Sequence, residues 1–249
     1  MRLSILDIPI DTLTEKEALE KISDLLDKDG RHLIATPNPE FIVEAQKNRL
    51  FKKALTEASL SVPDGTGIVW ALLLLHGVRV RRITGVDFMK KICEQFKERK
   101  IFLLGANEIA NEKTKKILEK KYPGIQITGN YTGTPADSLD KMICTMINKS
   151  EAEILFVAYG HPKQELWITR NLPHLKTVKI AMGVGGSFDF ISGLKKRAPN
   201  WMRKCGIEWL FRLIIEPSRY GRIFTATVIF PIKVWQRKLL NIFRLKKSS

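Results

Sequence analysis

The sequence predicts a Rossmann-like α/β domain, a mostly parallel sheet with helices on both faces, followed by a basic helical appendage. Three observations carry this. Short apolar, β-rich runs alternate with longer stretches of helical periodicity. The residues just after several of those runs form loops and also start helices well, as in Thr36-Pro37-Asn38-Pro39. Beyond residue 194 the texture turns to Trp, Phe, Leu and Arg.

With 249 residues, 44% of them hydrophobic, the chain can bury a substantial core. Strands are predicted at 32–36, 60–62, 100–105, 125–128, 154–159 and 178–183, and helices at 40–53, 67–76, 87–99, 108–121, 137–149 and 163–171. In 108–121, Ile109, Ala110, Ile117 and Leu118 recur at helical spacing while Lys and Glu fill the outer face. Asn38 is placed to cap a helix with Pro39 at its first position, Asp87 to cap the next, and Pro162 to open the one at 163–171. Helix N-termini thus collect at the C-terminal ends of the strands. Open α/β sheets build their sites there, and backbone N–H groups at helix starts favour anions such as phosphates.

Charge divides the chain into a nearly neutral body, 1–194, and a strongly basic appendage, 195–249. The net charge of +16 is uneven: residues 195–249 hold 14 Lys and Arg against 2 Asp and Glu, the first 194 residues 28 against 24. In the tail Trp201, Trp209, Phe211 and Trp235 interleave with Arg203, Arg212, Arg219, Arg222 and Arg237. The stretch 223–232 is free of charge, yet at ten residues it falls short of the roughly 17–25 that span a bilayer. A helix lying on an anionic membrane surface fits this pattern, and so does a solvated basic face on an ordinary helix pair. A tail that grips phosphates and stacks bases of a nucleic acid is the reading from another class.

Other chemistries find little support. Cys93, Cys144 and Cys205 are odd in number and lack C-x-x-C spacing, which argues against a disulfide framework and a zinc site and fits reduced thiols in a cytosolic setting. Residues 1–12 contain Asp7 and Asp11 and no apolar stretch of signal-peptide length. The four histidines are scattered, and Asp27-Lys28-Asp29 before Gly30 reads as a helix-end turn, so no metal is expected. Neither Gly183-Val184-Gly185-Gly186 nor the single Gly105 gives the G-x-G-x-x-G spacing of a dinucleotide site, and no cofactor is expected.

The candidate general base is Asp64. It follows the apolar run 60–62 and stands between rigid Pro63 and flexible Gly65; capping the helix that begins near Gly67 is its plainer role. Thr36 and Asn38 offer a hydroxyl and an amide to a sugar or base, or simply build a stiff capped turn. Gln164 lies in a first helical turn where its amide can meet a ligand, and His161 is a loop histidine or an acid–base group. Arg82, Gly185 and Asp189 complete the candidate binding set.

Thr36-Pro37-Asn38, Pro63-Asp64-Gly65, Thr84-Gly85-Val86-Asp87, Pro162-Lys163-Gln164-Glu165, Gly183-Val184-Gly185, Arg197-Ala198-Pro199 and Glu208-Trp209 with Arg212-Leu213 occur in that order. As an ordered set they resemble the WecG/TagA/CpsF family of glycosyltransferases, from near the N-terminus to about Arg222. The resemblance implies an inverting, metal-independent transfer of N-acetylmannosamine, its uronic acid or another hexose from a UDP donor to undecaprenyl-diphosphate-linked N-acetylglucosamine. It places the protein in teichoic-acid or other surface-polysaccharide synthesis, peripheral at the cytoplasmic face of the membrane, with no nucleic acid as partner. It aligns Asp64 with the family's base, Thr36, Asn38 and Gln164 with its polar pocket, and Arg212, Arg219 and Arg222 with the arginines of a membrane-docking appendage. Homo-oligomerisation is compatible with it. The chain departs from the family pattern at Tyr159-Gly160-His161-Pro162 and at Asn130-Tyr131-Thr132-Gly133. The three arginines stand at i, i+7 and i+10, within an arc of about 80° on a straight helix. Pro217 interrupts that helix and is placed to open the next, so convergence requires a bent connection.

Overall fold

Two sheets organise the protein, whose structure, a computed structural model, describes residues 1–247; residues 248 and 249 of the predicted appendage and the side chains of 204 and 244–247 lie outside the described residues. β1 (Arg2–Ile5) and β2 (Ile8–Asp11) form an antiparallel hairpin. The remaining strands are β3 (His32–Ala35), β4 (Leu60–Ser61), β5 (Ile101–Gly105), β6 (Ile127–Tyr131), β7 (Ile154–Ala158) and β8 (Ile180–Gly183). They pair in the order β4-β3-β8-β7-β5-β6, every neighbour parallel. The predicted α/β architecture is present.

β5, β7 and β8 are buried at every position, as a sheet covered on both faces requires. Side-chain alternation divides the core in two. Leu103, Phe156, Met182 and Ile34 face the helix Gly85–Gln95 through Phe88, Met89 and Ile92. Phe102, Leu155, Val157 and Ala181 face Phe41, Phe51, Trp167 and Ile168. Because the strands are parallel, the loops after adjacent β4, β3, β8 and β7 emerge side by side at one end of the sheet.

Several boundaries differ from the prediction, each for a local reason. The helix expected over 40–53 is two, Pro39–Ala45 and Arg49–Thr56, because the Asn48 side chain caps the second by accepting from the Phe51 N–H at 3.0 Å. β4 is only two residues long and ends before Pro63, which has no N–H to extend the ladder. The hairpin of β1 and β2 and the helix Glu15–Asp27 add to the predicted set. The helix is announced by the reciprocal cap between Thr14 and Glu17.

The tail is helical and bent. Glu208–Ile215 is followed by a 3-10 turn, Pro217–Arg219, with Pro217 at its first position, and then by Tyr220–Phe224, a π-turn at Thr225–Ile229 and the helix Phe230–Lys247. Phe230 and Val234 are fully buried in the same core cluster as Phe41, Ile68 and Leu72. Gly67 makes that docking fit: a Cβ there would lie 2.7 Å from Pro39 Cγ and 3.5 Å from Phe230 Cε1. Ile214, Ile215, Tyr220, Phe224, Ile232 and Trp235 are exposed. Among the described residues no helix is long and apolar enough to cross a membrane.

Phe230→Ala is expected to destabilise the protein by about 3–5 kcal/mol, read by chemical denaturation, whereas exposed Trp235→Ala should stay within about 0.5 kcal/mol of the parent.

Candidate active site

The four loops at the C-terminal end of the sheet enclose two adjoining cavities, of about 140 and about 430 Å³. The smaller lies over the strand ends and is lined by Thr36, Thr84, Gly85, His161, Gly185 and Arg197, among others. The larger lies between the loop after β4 and the tail, against Trp70, Trp209, Ile223, Ala226 and Pro231. Asn38, Asp64, Glu208, Arg212, Arg219 and Arg222 line both. Asp64 therefore stands at the partition.

Backbone bonds set its position. The Asp64 N–H donates to the Pro37 carbonyl at 3.0 Å, and the Ile83 N–H donates to the Pro63 carbonyl at 2.9 Å, tying the loops after β3 and β4 to the segment before the helix Gly85–Gln95. Asp64 Oδ2 accepts from the Gly85 N–H at 3.2 Å. Burial pushes the Asp64 carboxyl up to about 6 and outweighs the Gly85 N–H and the Arg82 and Arg212 charges, which pull it down; Glu208 adds to the rise. A carboxyl so placed exchanges its proton near neutrality and suits general base chemistry. It does not cap the helix that follows it, Thr66–His76, where Gly65 occupies that position without a side-chain bond; the donor it satisfies is the first N–H of Gly85–Gln95.

The structure brings most of the predicted residues together. Asn38 caps the helix Pro39–Ala45 through its Oδ1, which accepts from the Phe41 N–H at 3.1 Å, leaving its amide Nδ2 for a ligand. Arg82 lines the larger cavity, 3.6 Å from Glu208 Oε2 and bonded to the Arg203 carbonyl at 3.3 Å. The bend at Pro217 brings Arg212, Arg219 and Arg222 to the same cavities. Each already holds a carboxylate: Arg212 donates to Glu208 at 2.7 Å, Arg219 to Glu216, and Arg222 to Glu40 at 2.6 Å. Arg212 also lies over the Phe190 ring, 5.1 Å from its centroid.

One predicted residue sits differently. Asp189 lines neither cavity and pairs with Lys195 at 3.6 Å; Lys195 also reaches Glu216 at 3.0 Å. Gln164 lines the smaller cavity but is almost wholly buried, and its Oε1 accepts from the Gly160 and Gly185 N–H groups at 3.0 and 2.9 Å, so its amide is engaged by the loops after β7 and β8. The Asp87 cap is a correction. Thr84 is the N-cap, its hydroxyl accepting from the Asp87 N–H at 3.3 Å, because Asp87 lies one turn inside, at the third helical position.

Arg197, Glu208 and Glu40 were not singled out as site residues. Arg197 donates to both oxygens of Asp87 at 2.6 and 2.7 Å and to the Thr84 hydroxyl at 3.1 Å, and that hydroxyl donates to Asp87 Oδ2 at 2.7 Å; against burial, which raises it, the bonds from Arg197 and Thr84 hold the Asp87 carboxyl down at about 2. Its only signal in the sequence was the Arg197-Ala198-Pro199 motif. His161 stacks on Phe41 with ring centroids 4.9 Å apart, and its Nε2 lies 3.6 Å from Glu40 Oε2. Burial pulls the imidazole below its ordinary value, favouring the neutral ring. Among the described residues no three His, Cys, Asp or Glu side chains converge as a metal site.

A family model described as the glycosyl transferase WecG/TagA/CpsF family matches residues 3–243. A Staphylococcus aureus (strain MRSA252) protein named N-acetylglucosaminyldiphosphoundecaprenol N-acetyl-beta-D-mannosaminyltransferase is 32% identical over 241 residues, covering 95% of this chain and 93% of its own. A Bacillus subtilis (strain 168) protein of the same name is 34% identical over 195 residues, 78% of this chain and 75% of its own.

Since the Asp64 carboxyl is raised on folding, the folded state bears a cost that is absent below the ordinary carboxylate range near 3.8 and complete above about 6. Asp64→Asn should therefore unfold at higher denaturant than the parent at pH 8, by on the order of 1–2 kcal/mol given its partial exposure, with the difference vanishing near pH 3. Carboxyl carbon NMR should place the parent midpoint near 6.

Proposed function

The chain belongs to the WecG/TagA/CpsF family of glycosyl transferases, and on that footing we propose that it moves an N-acetylmannosaminyl group from a UDP donor to undecaprenyl-diphosphate-linked N-acetylglucosamine. The observation that carries the reading is the place of Asp64, between a polar cavity over the strand ends and a larger one with an apolar wall built partly by the tail. The first suits a nucleotide diphosphate sugar. The second suits a sugar carried on a lipid.

In this mechanism the acceptor hydroxyl oxygen attacks the anomeric carbon of the donor sugar while Asp64 takes its proton. The new C–O bond forms on one face as the bond to the diphosphate breaks on the other, so UDP leaves with the electron pair and the configuration inverts. Arg212, Arg219 and Arg222 exchange their carboxylate partners for the diphosphate, whose developing charge guanidinium groups meet with paired, charge-assisted hydrogen bonds. No step in this scheme requires a metal. A UDP-linked uronic acid or another UDP-hexose as donor is a variant of the same chemistry.

The tail supports a peripheral membrane role. Its exposed aromatic and aliphatic side chains lie among basic residues, the combination that binds an anionic interface. The body, 1–194, then supplies the donor site and the base, and the appendage, 195–249, docks on the cytoplasmic leaflet and completes the site where the lipid acceptor resides. Because Arg212, Arg219 and Arg222 turn inward to the cleft, this reading is preferred to nucleic-acid binding.

Incubation with a panel of UDP-sugars and a lipid-diphosphoryl N-acetylglucosamine analogue should yield, by mass, one added N-acetylhexosamine from UDP-N-acetylmannosamine; no product from any donor would sink the reading. Asp64→Asn should lower turnover by about 10²–10⁴-fold, and the parent's turnover should rise with pH through about 6 as the base loses its proton. Sedimentation with vesicles containing anionic lipid should be strong at low salt and weaken as salt is raised, whereas neutral vesicles should retain far less protein.

A further inference from the structure

Glu165 lies beneath the smaller cavity and has no part in the mechanism above. It is almost wholly inaccessible, on the first turn of the helix Lys163–Asn171, and one of its oxygens, Oε1, accepts from Gln164 Nε2 at 2.7 Å. The other, Oε2, is buried without a partner. Gln164 in turn holds two loops through one atom, its Oε1 accepting from the Gly160 N–H after β7 and the Gly185 N–H after β8. The amide must point this way. Reversed, its NH₂ group would face two N–H donors.

We propose that Glu165 is a positioning residue: it fixes the orientation of the Gln164 amide, which draws the loops after β7 and β8 together and shapes the floor of the smaller cavity. Gly183 packs against the pair so closely that a Cβ there would lie 2.5 Å from both Gln164 Nε2 and Glu165 Oε1, so the pair keeps its place only beside a glycine. An acceptor aimed at Gln164 costs less to bury as a neutral carboxylic acid than as an anion, and burial pushes the Glu165 carboxyl up to about 8. The acid is thus neutral where the cleft works. Since the carbonyl is the part that acts, an uncharged amide at this position can replace it.

The consequence for turnover rests on the transferase reading; the geometry does not. Glu165→Gln keeps the acceptor, and Glu165→Met keeps the approximate volume without it. In Glu165→Met, hydrogen exchange at the Gly160 and Gly185 amides should accelerate about tenfold or more relative to the remainder of the sheet, while Glu165→Gln restores the parent rates. In the transfer assay Glu165→Met should raise the KM for the UDP-sugar by about tenfold with kcat within about threefold, and Glu165→Gln should return it to the parent value. Unchanged exchange at both glycines in Glu165→Met, or equal loss in both variants, overturns the proposal. Should Glu165→Met fail to fold, scalar coupling across the hydrogen bonds in the parent chain decides: coupling from the Gly160 and Gly185 nitrogens to the Gln164 side-chain carbonyl carbon, and from Gln164 Nε2 to the Glu165 carboxyl carbon, supports it, and its absence overturns it. A parent chain that turns over no sugar donor defeats the transferase reading and leaves the exchange result standing.

Discussion

The site depends on taking one carboxylate partly out of water without letting it become inert. For the proposed base, desolvation alone would hold the Asp64 proton too tightly at neutral pH, and a close ion pair would leave the carboxylate too weak to accept one. The Gly85 N–H at 3.2 Å and the Arg82 and Arg212 charges offset part of the burial, and the result is a group poised near 6. Three parts maintain that balance: β4, which ends just before Asp64, the segment leading into the helix Gly85–Gln95, which the Ile83 N–H ties to the Pro63 carbonyl and which presents Gly85, and the tail that brings Arg212.

The cleft is also nearly self-neutralised. Arg212, Arg219 and Arg222 each hold a glutamate, and Arg197 holds Asp87. Such pairs keep long cationic side chains ordered at the cavity wall and remove the cost of leaving several like charges together. Under the proposed function an incoming diphosphate displaces them, which favours ligands with enough charge and enough bidentate geometry to compete with a carboxylate.

Much of this was legible in the sequence because it depends on local chemistry. Apolar runs of strand length read directly as β5, β7 and β8, and Asn38 with Pro39 read as a helix start. Its place after a short strand made Asp64 a candidate base, with capping of the next helix as the plainer role. Partnerships between distant residues were not legible. Nothing near residue 40 announces that Glu40 meets Arg222, nor does the tail announce that Phe230 enters the main core beside Gly67. The split of the helix expected at 40–53 turned on a single Asn48 cap inside an otherwise periodic stretch. Gln164 is the instructive case: its residue type suggested a ligand contact, and only the fold shows its amide engaged by two loops.

The separation of the two cavities along the chain has an evolutionary consequence. The smaller is framed chiefly by strand-end loops of the sheet, and the larger owes one wall to the helices after residue 205. Under the proposed roles, substitutions near the C-terminus can retune acceptance of one substrate while the loops that read the other stay untouched. Changes confined to Trp209, Ile223, Ala226 and Pro231, which line the larger cavity alone, let a lineage diversify one half of its chemistry at a time, whereas exchange of the whole tail also replaces the arginines that the two cavities share.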